Sequence, residues 1–389
     1  MTTFKRLNPS ERVLLGPGPS NVHPRVYQAL SAPVVGHLDP QFIEIMEDNK
    51  VLLREVFQTK NWLTIPMSGT GSSGMETCLV NFIEPGDKVL ICINGVFGQR
   101  MRDVAQRCGA EVVSVEAPMG QIIPPEKIKA ALNKEKFKLV GIVHAETSTG
   151  VLQPLEDISK MVHANGALFM VDVVTSLGGI EVAVDRWNID ICYGGTQKCL
   201  SCPPGLSPVT VNERALDVLH KRKCKVQSWY LDLSMIEKYW GQERVYHHTA
   251  PISMNYALRE ALLLVHEEGL EARWARHKKN HEALVRGVEA MGLKMVVEPG
   301  IRCASLNTIW IPEGINDAGV RSFLLEKYDM EIGAGLGDFK GKAWRVGLMG
   351  YSSTITNVVL FLTALEMALV AQGLRVPPAA GMEAALAEK

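Results

Sequence analysis

Between about residues 60 and 250 short apolar runs recur, WLTIP, KVLICING, EVVSVEA, LVGIVHA, LFMVDVV and DICYGG, separated by stretches with helical spacing. Their Val, Ile and Leu content is nearly continuous rather than alternating, as in strands buried on both faces. Such alternation of strand and helix predicts an α/β fold with a mainly parallel central sheet and helices on both faces. Around residues 251–292 the texture changes, and SMNYALREALLLVHEEGLEARWARHKKNHEALVRGVEAMG carries apolar residues every three or four positions, predicting long helix. After it MVVEPG, LNTIWIP, MEIGAGLG and KAWRVGLMG alternate with two helical segments, the pattern of a smaller α+β domain. The expected organisation is an N-terminal arm over 1–20 with a GPGP turn at 16–19, a large domain over 21–255, a small C-terminal domain over 256–376 and a tail over 377–389. The tail is expected to be frayed or docked on a partner.

Composition narrows the classes. With 47% hydrophobic and 21% charged residues and a formal net charge of -1, the 389-residue chain reads as globular, with no basic field to recruit nucleic acid or an anionic membrane. The one basic cluster, Lys221 to Lys225, reads as a solvated helix face. The first residues lack a signal-peptide pattern, and the apolar run from Val358 is short and interrupted by Glu366, so an amphipathic helix is expected there and no membrane span. The closing AEK matches no peroxisomal address, and the cytoplasm is the expected compartment. Eight cysteines (78, 92, 108, 192, 199, 202, 224 and 303) without a secretion pattern imply reduced thiols.

Three constellations could carry chemistry. Ser68 to Glu76, SGTGSSGME, follows a strand and opens a helix; its glycines spell G-x-G-x-x-G, but the next strand ends in Asn94-Gly95 rather than in the acid a dinucleotide fold needs. What remains is a phosphate cradle of small residues, hydroxyls and backbone N–H groups at a helix start. Asp172 closes LFMVD, at the carboxyl end of a strand where open α/β sheets bind ligands, and its buried charge calls for a cationic partner. Lys198 is read as ending the strand DICYGG, 26 residues after Asp172, where an apolar pocket would lower its pKa and make it a usable amine nucleophile. Cys199 and Cys202 are spaced C-x-x-C, but no second C-x-x-C exists, and the adjacent His247 and His248 would point to opposite faces of a strand, so no metal is expected. Cradle, acid and amine together are what a pyridoxal phosphate enzyme requires: a phosphate anchor, a partner for the pyridine nitrogen and a Schiff-base lysine.

The motifs LLGPGPSNVHP, SGTGSSGMETCLVNFIEPGD, NGVFGQR, HAETSTGVLQPL, VDVVTSLGG, YGGTQKCLSCPPG, YHHTAPISMNYALREAL and WRVGLMG span nearly the whole chain. In that order they resemble the class V aminotransferases of fold type I, most closely those acting on alanine or serine with glyoxylate. The resemblance implies that Lys198 forms the Schiff base and Asp172 pairs with the pyridine nitrogen. It further implies that Thr70, Gly71 and Ser72 hold the phosphate with Gln197, that Phe97 stacks on the cofactor ring, that Val174 packs on its other face, and that Thr147 lies near its phenolic oxygen. Tyr246 and Thr249 would reach the phosphate of a neighbouring subunit in a homodimer, and Arg345 would clamp the substrate carboxylate. The GPGP turn resembles the loop lining the substrate entrance. Phe97 stands where relatives often have tryptophan, and Ser72 where animal members often have histidine; both changes keep the physical role. The implied reaction is two-step amino transfer from alanine or serine to glyoxylate or pyruvate. The alternatives are a lyase of the cysteine desulfurase type, an aminotransferase acting on pyridoxamine with pyruvate, or a non-catalytic subunit of a redox complex.

Overall fold

The computed structural model describes residues 4–387; Met1 to Thr3 of the expected arm, and Glu388 and Lys389 of the closing AEK, lie outside it. Seven strands build the main sheet: β1 (Leu63–Ser68), β2 (Lys88–Ile93), β3 (Glu111–Glu116), β4 (Leu139–Val143), β5 (Leu168–Asp172), β6 (Ile191–Tyr193) and β7 (Leu206–Val211). Their spatial order is β1-β7-β6-β5-β4-β2-β3, and every pair is parallel except the two made by β7. The six runs read from the sequence are β1 to β6. Strand β7 went unread because Pro208 interrupts LSPVTV, and a proline argues against a central strand. Here it faces Pro66 across the β1–β7 ladder while its carbonyl accepts from Gly194 N at 2.8 Å.

The continuous apolar runs have a direct cause. Ile91 belongs to the core on one face of the sheet and its neighbours Leu90 and Cys92 to the core on the other, so both faces of each central strand are covered. A fully buried Leu, Ile or Val contributes roughly 1.5–3 kcal/mol relative to exposure, which fixes the strand ends where the chemistry sits.

The long helical stretch is two helices rather than one. Ile252–Glu268 stops at Gly269, whose φ of 78° lies in the left-handed region that favours glycine, and Leu270–Ala290 starts immediately after. The first packs on Pro24–Leu30 and Pro40–Phe57, and the second on Ile355–Ala371. A smaller antiparallel sheet, β8 (Leu306–Trp310), β10 (Ala343–Gly347) and β9 (Gly333–Ala334) in spatial order, shares a core containing Trp344, Val346, Phe361 and Leu365 with those later helices. MVVEPG forms no strand and contributes one bridge, Met295 to Ile309. Val13–Leu14 pairs in parallel with Met330–Glu331. Ala380–Leu386 in the tail is a helix on Leu270–Ala290 of its own chain, where Arg286 Nε donates to Ala384 O at 3.1 Å. Among the described residues no helix is long and apolar enough to cross a membrane, and no cluster of ligands could hold a metal ion.

Candidate active site

Asp172 is the last residue of β5 and is 3% exposed. Parallel pairing with β6 sets Asp172 opposite Tyr193, whose hydroxyl donates to Oδ2 at 2.6 Å, while Val174 N donates to Oδ1 at 2.8 Å. Burial pushes the carboxyl up to about 6 against the pull of these two donors.

Lys198 does not end a strand. β6 stops at Tyr193, and the chain then makes a closed turn in which Cys202 N bonds to Thr196 O and Ser201 N to Lys198 O. The turn is held from outside by Ser20, whose Oγ donates to Lys198 O at 2.8 Å. Ser20 N also donates to Gln197 O at 2.9 Å. Lys198 Nζ donates to the carbonyl of Pro17, in the GPGP turn, and a Cβ on Gly18 would come within 2.6 Å of the lysine Cδ. Burial, reinforced by the charge of Arg345, lowers the ammonium to about 8. Cys199 and Cys202 are buried, and burial pushes the Cys199 thiol up to about 12, so both are packing residues of this turn.

The third element is the start of the helix Gly71–Phe82. Its N-cap, Thr70, makes no side-chain cap, which leaves first-turn N–H groups facing the strand ends. Gly69, at φ 131°, lets Ser73 fold back so that its Oγ donates to Thr70 O at 2.7 Å. A side chain at Gly71 would project to within 3.4 Å of Val174.

These elements enclose a cavity of about 220 Å³ lined by Thr70, Gly71, Ser72, Phe97, Thr147, Asp172, Val174, Gln197 and Lys198, so nine of the sequence-chosen residues meet there. Gln197 Oε1 is buried without a hydrogen-bond partner among the described residues, an acceptor waiting for a donor. Arg345 lies on β10, 7% exposed, outside the lining; its Nε donates to Ala334 O at 2.8 Å and Nη1 to Thr147 O at 3.1 Å, and burial lowers it to about 10, which leaves it charged at neutral pH. Tyr246 and Thr249 are exposed and do not line the cavity. His247 and His248 sit in a loop rather than a strand, and their Nδ1 atoms approach to 2.8 Å instead of pointing apart.

Three residues of the site were not singled out from sequence. Arg100 lines the cavity one turn after Phe97, its guanidinium 4.8 Å from that ring's centroid and Nη1 3.4 Å from Ser72 Oγ. Tyr193 pins Asp172. Glu146, 1% exposed, accepts from Phe97 N and Gly98 N at 3.3 Å each, which fixes the start of the Val96–Arg107 helix and so the Phe97 ring. Its signal was a carboxylate between a strand end and hydroxyls in HAETSTG.

Four larger concavities, of about 730, 570, 450 and 370 Å³, are lined by none of these nine residues. Size does not decide: the small cavity joins a helix N-terminus for an anion, a buried acid for a basic nitrogen and a depressed amine for a carbonyl carbon.

Residues 17–337 match the family described as aminotransferase class-V. (S)-Ureidoglycine–glyoxylate transaminase of Bacillus subtilis (strain 168) is 42% identical over 96% of this chain and 94% of its own length. The crystal structure of ureidoglycine-glyoxylate aminotransferase from Bacillus subtilis matches with a TM-score of 0.97 at 43% identity, covering 98% of this chain and 99% of that one. The structure of alanine–glyoxylate aminotransferase from Nostoc sp. matches at 0.93 and 47% identity, covering 95% of this chain and 98% of that one.

Proposed function

The chain belongs to the class V aminotransferases, and from that premise we propose that it moves an amino group from alanine or serine to glyoxylate or pyruvate, using Lys198 as both cofactor anchor and proton carrier. Its cofactor is pyridoxal phosphate, and its fold is that of the type I enzymes using it. The observation that carries the residue assignment is the convergence of Lys198, Asp172 and the Gly71–Phe82 helix start on one cavity.

The residues present fit the cofactor. Thr70, Gly71 and Ser72 offer N–H and hydroxyl donors to the phosphate at the positive end of a helix, with the Arg100 guanidinium beside Ser72 adding charge. Phe97 and Val174 would bracket the ring, Thr147 would lie near its phenolic oxygen, and Gln197, with its Oε1 unpartnered among the described residues, would offer an acceptor from the same lining. When bound, the cofactor supplies an electron-withdrawing ring that makes the substrate Cα–H acidic. Asp172 holds a proton at the ring nitrogen; a cation there draws the carboxyl down from about 6 and strengthens the pairing. The Lys198 amine, lowered to about 8, is neutral often enough near pH 7 to attack a carbonyl and then to carry a proton from Cα. Arg345, held by two backbone carbonyls, would present its remaining nitrogen to the substrate carboxylate.

Exposed Tyr246 and Thr249, on a surface shared with exposed Trp229 and Tyr230, are assigned to the phosphate of a second copy in a homodimer. Loss of cofactor affinity on dilution to monomer checks this, and a monomer that binds undiminished removes it. Free thiols and the lack of a spanning helix among the described residues accord with a cytoplasmic setting.

The names of the relatives share glyoxylate and differ in donor. Among the described residues Arg100 is the one guanidinium lining the cavity, and it lies at the phosphate side, an arrangement that fits a small neutral donor. A screen of alanine, serine, aspartate and (S)-ureidoglycine against glyoxylate, pyruvate and 2-oxoglutarate is expected to give the highest kcat/KM for alanine or serine with glyoxylate. A clear lead for (S)-ureidoglycine would move the donor assignment, and no keto acid from any donor would restore the non-catalytic reading.

A further inference from the structure

Arg273 opens the helix Leu270–Ala290 outside the catalytic cavity, yet it is 5% exposed and every nitrogen of its guanidinium is engaged. Nε donates to Gly178 O at 2.7 Å, Nη2 to Cys199 O at 2.6 Å and Nη1 to Glu268 Oε2 at 2.6 Å. The two carbonyls are informative. Gly178 lies on the loop leaving Asp172, and Cys199 is the residue after Lys198. One planar group therefore ties together the backbones that follow the acid and the amine.

The two loops are already in contact. A Cβ on Gly179 would come within 2.5 Å of Cys199 Sγ, and one on Gly178 within 2.8 Å of Leu200 Cδ2. Packing sets how close they lie; the fork of Arg273 sets their register, because its donors are fixed in one plane as a lysine's are not. The fork itself is braced. Glu268 also accepts from Arg276 Nε at 2.5 Å, and Arg276 Nη1 donates to Gly350 O and Ser353 O at 3.0 and 2.5 Å. His277 Nε2 accepts from Gly350 N at 2.9 Å. The brace thus reaches the segment after β10, whose Tyr351 N donates to Ser201 Oγ, in the lysine's own turn, at 2.8 Å.

We infer that Arg273 is a positioning residue for the reaction: it holds the Lys198 turn in register with the Asp172 loop, without touching substrate or cofactor. The inference rests on Lys198 being the cofactor anchor. Borohydride reduction and peptide mapping of the wild-type holoenzyme test that separately, since a label on another lysine would fail the anchor and not the clamp.

The test uses the holoenzyme with Arg273 replaced. Arg273→Met is expected to lower kcat per bound cofactor by up to about 100-fold, the effect of misplacing a reacting group by on the order of 1 Å, with donor KM little changed. The cavity of about 450 Å³ lined by Arg273, Arg276, Glu268 and Ser201 gives a small cation access to the vacated position. Millimolar guanidinium is therefore expected to restore much of the lost kcat where equal sodium chloride does not. An unchanged kcat, or a lowered one that guanidinium fails to raise, overturns the assignment. Should Arg273→Met not fold, Arg273→Lys keeps charge and bulk but loses the fork, and it is expected to lower kcat at near-constant KM; wild-type kcat in Arg273→Lys overturns the assignment equally.

Discussion

The strand end that carries Asp172 and the turn that carries Lys198 are buried to a similar depth, 3% and 8% exposed, and burial is the main cause that drives both groups toward neutrality, to about 6 and about 8. Their attachments differ. Asp172 is fixed by Tyr193 and Val174, both delivered by the main sheet and its immediate exit loop. Among the described residues the Lys198 ammonium has one acceptor, the Pro17 carbonyl, contributed by the N-terminal arm. An acid that holds one proton at one place benefits from being preorganised. In the proposed reaction the amine serves as anchor, is displaced and then carries a proton, which calls for a rigid backbone and a side chain that is easily released.

Removing each group separates the two roles. Lys198→Ala deletes the proposed anchor and proton carrier together and is expected to lower kcat by at least about 10⁴-fold, the upper end for loss of general acid–base catalysis. Asp172→Asn leaves the amine and is expected to lose about 100-fold, read in the same alanine–glyoxylate assay. Equal losses would erase the distinction. The second variant also has a stability signature. The unfolded chain releases the Asp172 proton near 3.8 and the folded cofactor-free protein near 6, so the folded state binds more protons between those values and stability falls as pH rises through them. Above pH 6 the penalty is complete. Asp172→Asn removes it, and the cofactor-free variant is expected to melt at or above the wild-type temperature at pH 7.5 by calorimetry; a marked drop would show that the two hydrogen bonds outweigh desolvation.

Most of this frame was legible in the chain because its signals are local. Strands buried on both faces write continuous apolar runs, and a helix opening in small residues after such a run writes SGTGSSGME. Asp172 was legible because a carboxylate after four apolar residues conflicts with burial unless it has a use. The rest depends on pairings between segments. Tyr193 reads as one more core aromatic until the β5–β6 register sets it against Asp172. Lys198 reads as a strand end because nothing in DICYGGTQK announces that pairing stops at Tyr193. Arg273 sits in a helical run whose charged residues all resemble a solvated face, and only the crossing of that helix over two loops buries this one. Gly269, the break that allows the crossing, was masked by apolar periodicity continuing through both helices.

The smallest effect concerns the loosely held amine alone. Attack on a carbonyl requires neutral Lys198, so the rate at which cofactor-free protein takes up pyridoxal phosphate is expected to follow the neutral fraction of a group lowered to about 8. From pH 7 to 8 the rate should rise about fivefold, and it should level off above about pH 9, whereas an ordinary lysine near 10.4 would go on rising about tenfold per unit. The neighbouring groups are silent in that window. Asp172 at about 6 is already ionised, Arg345 at about 10 is still charged, and the Cys199 thiol at about 12 is still protonated. Stopped-flow absorbance at several pH values reads the profile. Continued steep increase beyond pH 9 would mean that Lys198 is solvated in the working protein, and that the Pro17 carbonyl and the arm do not close over it in solution.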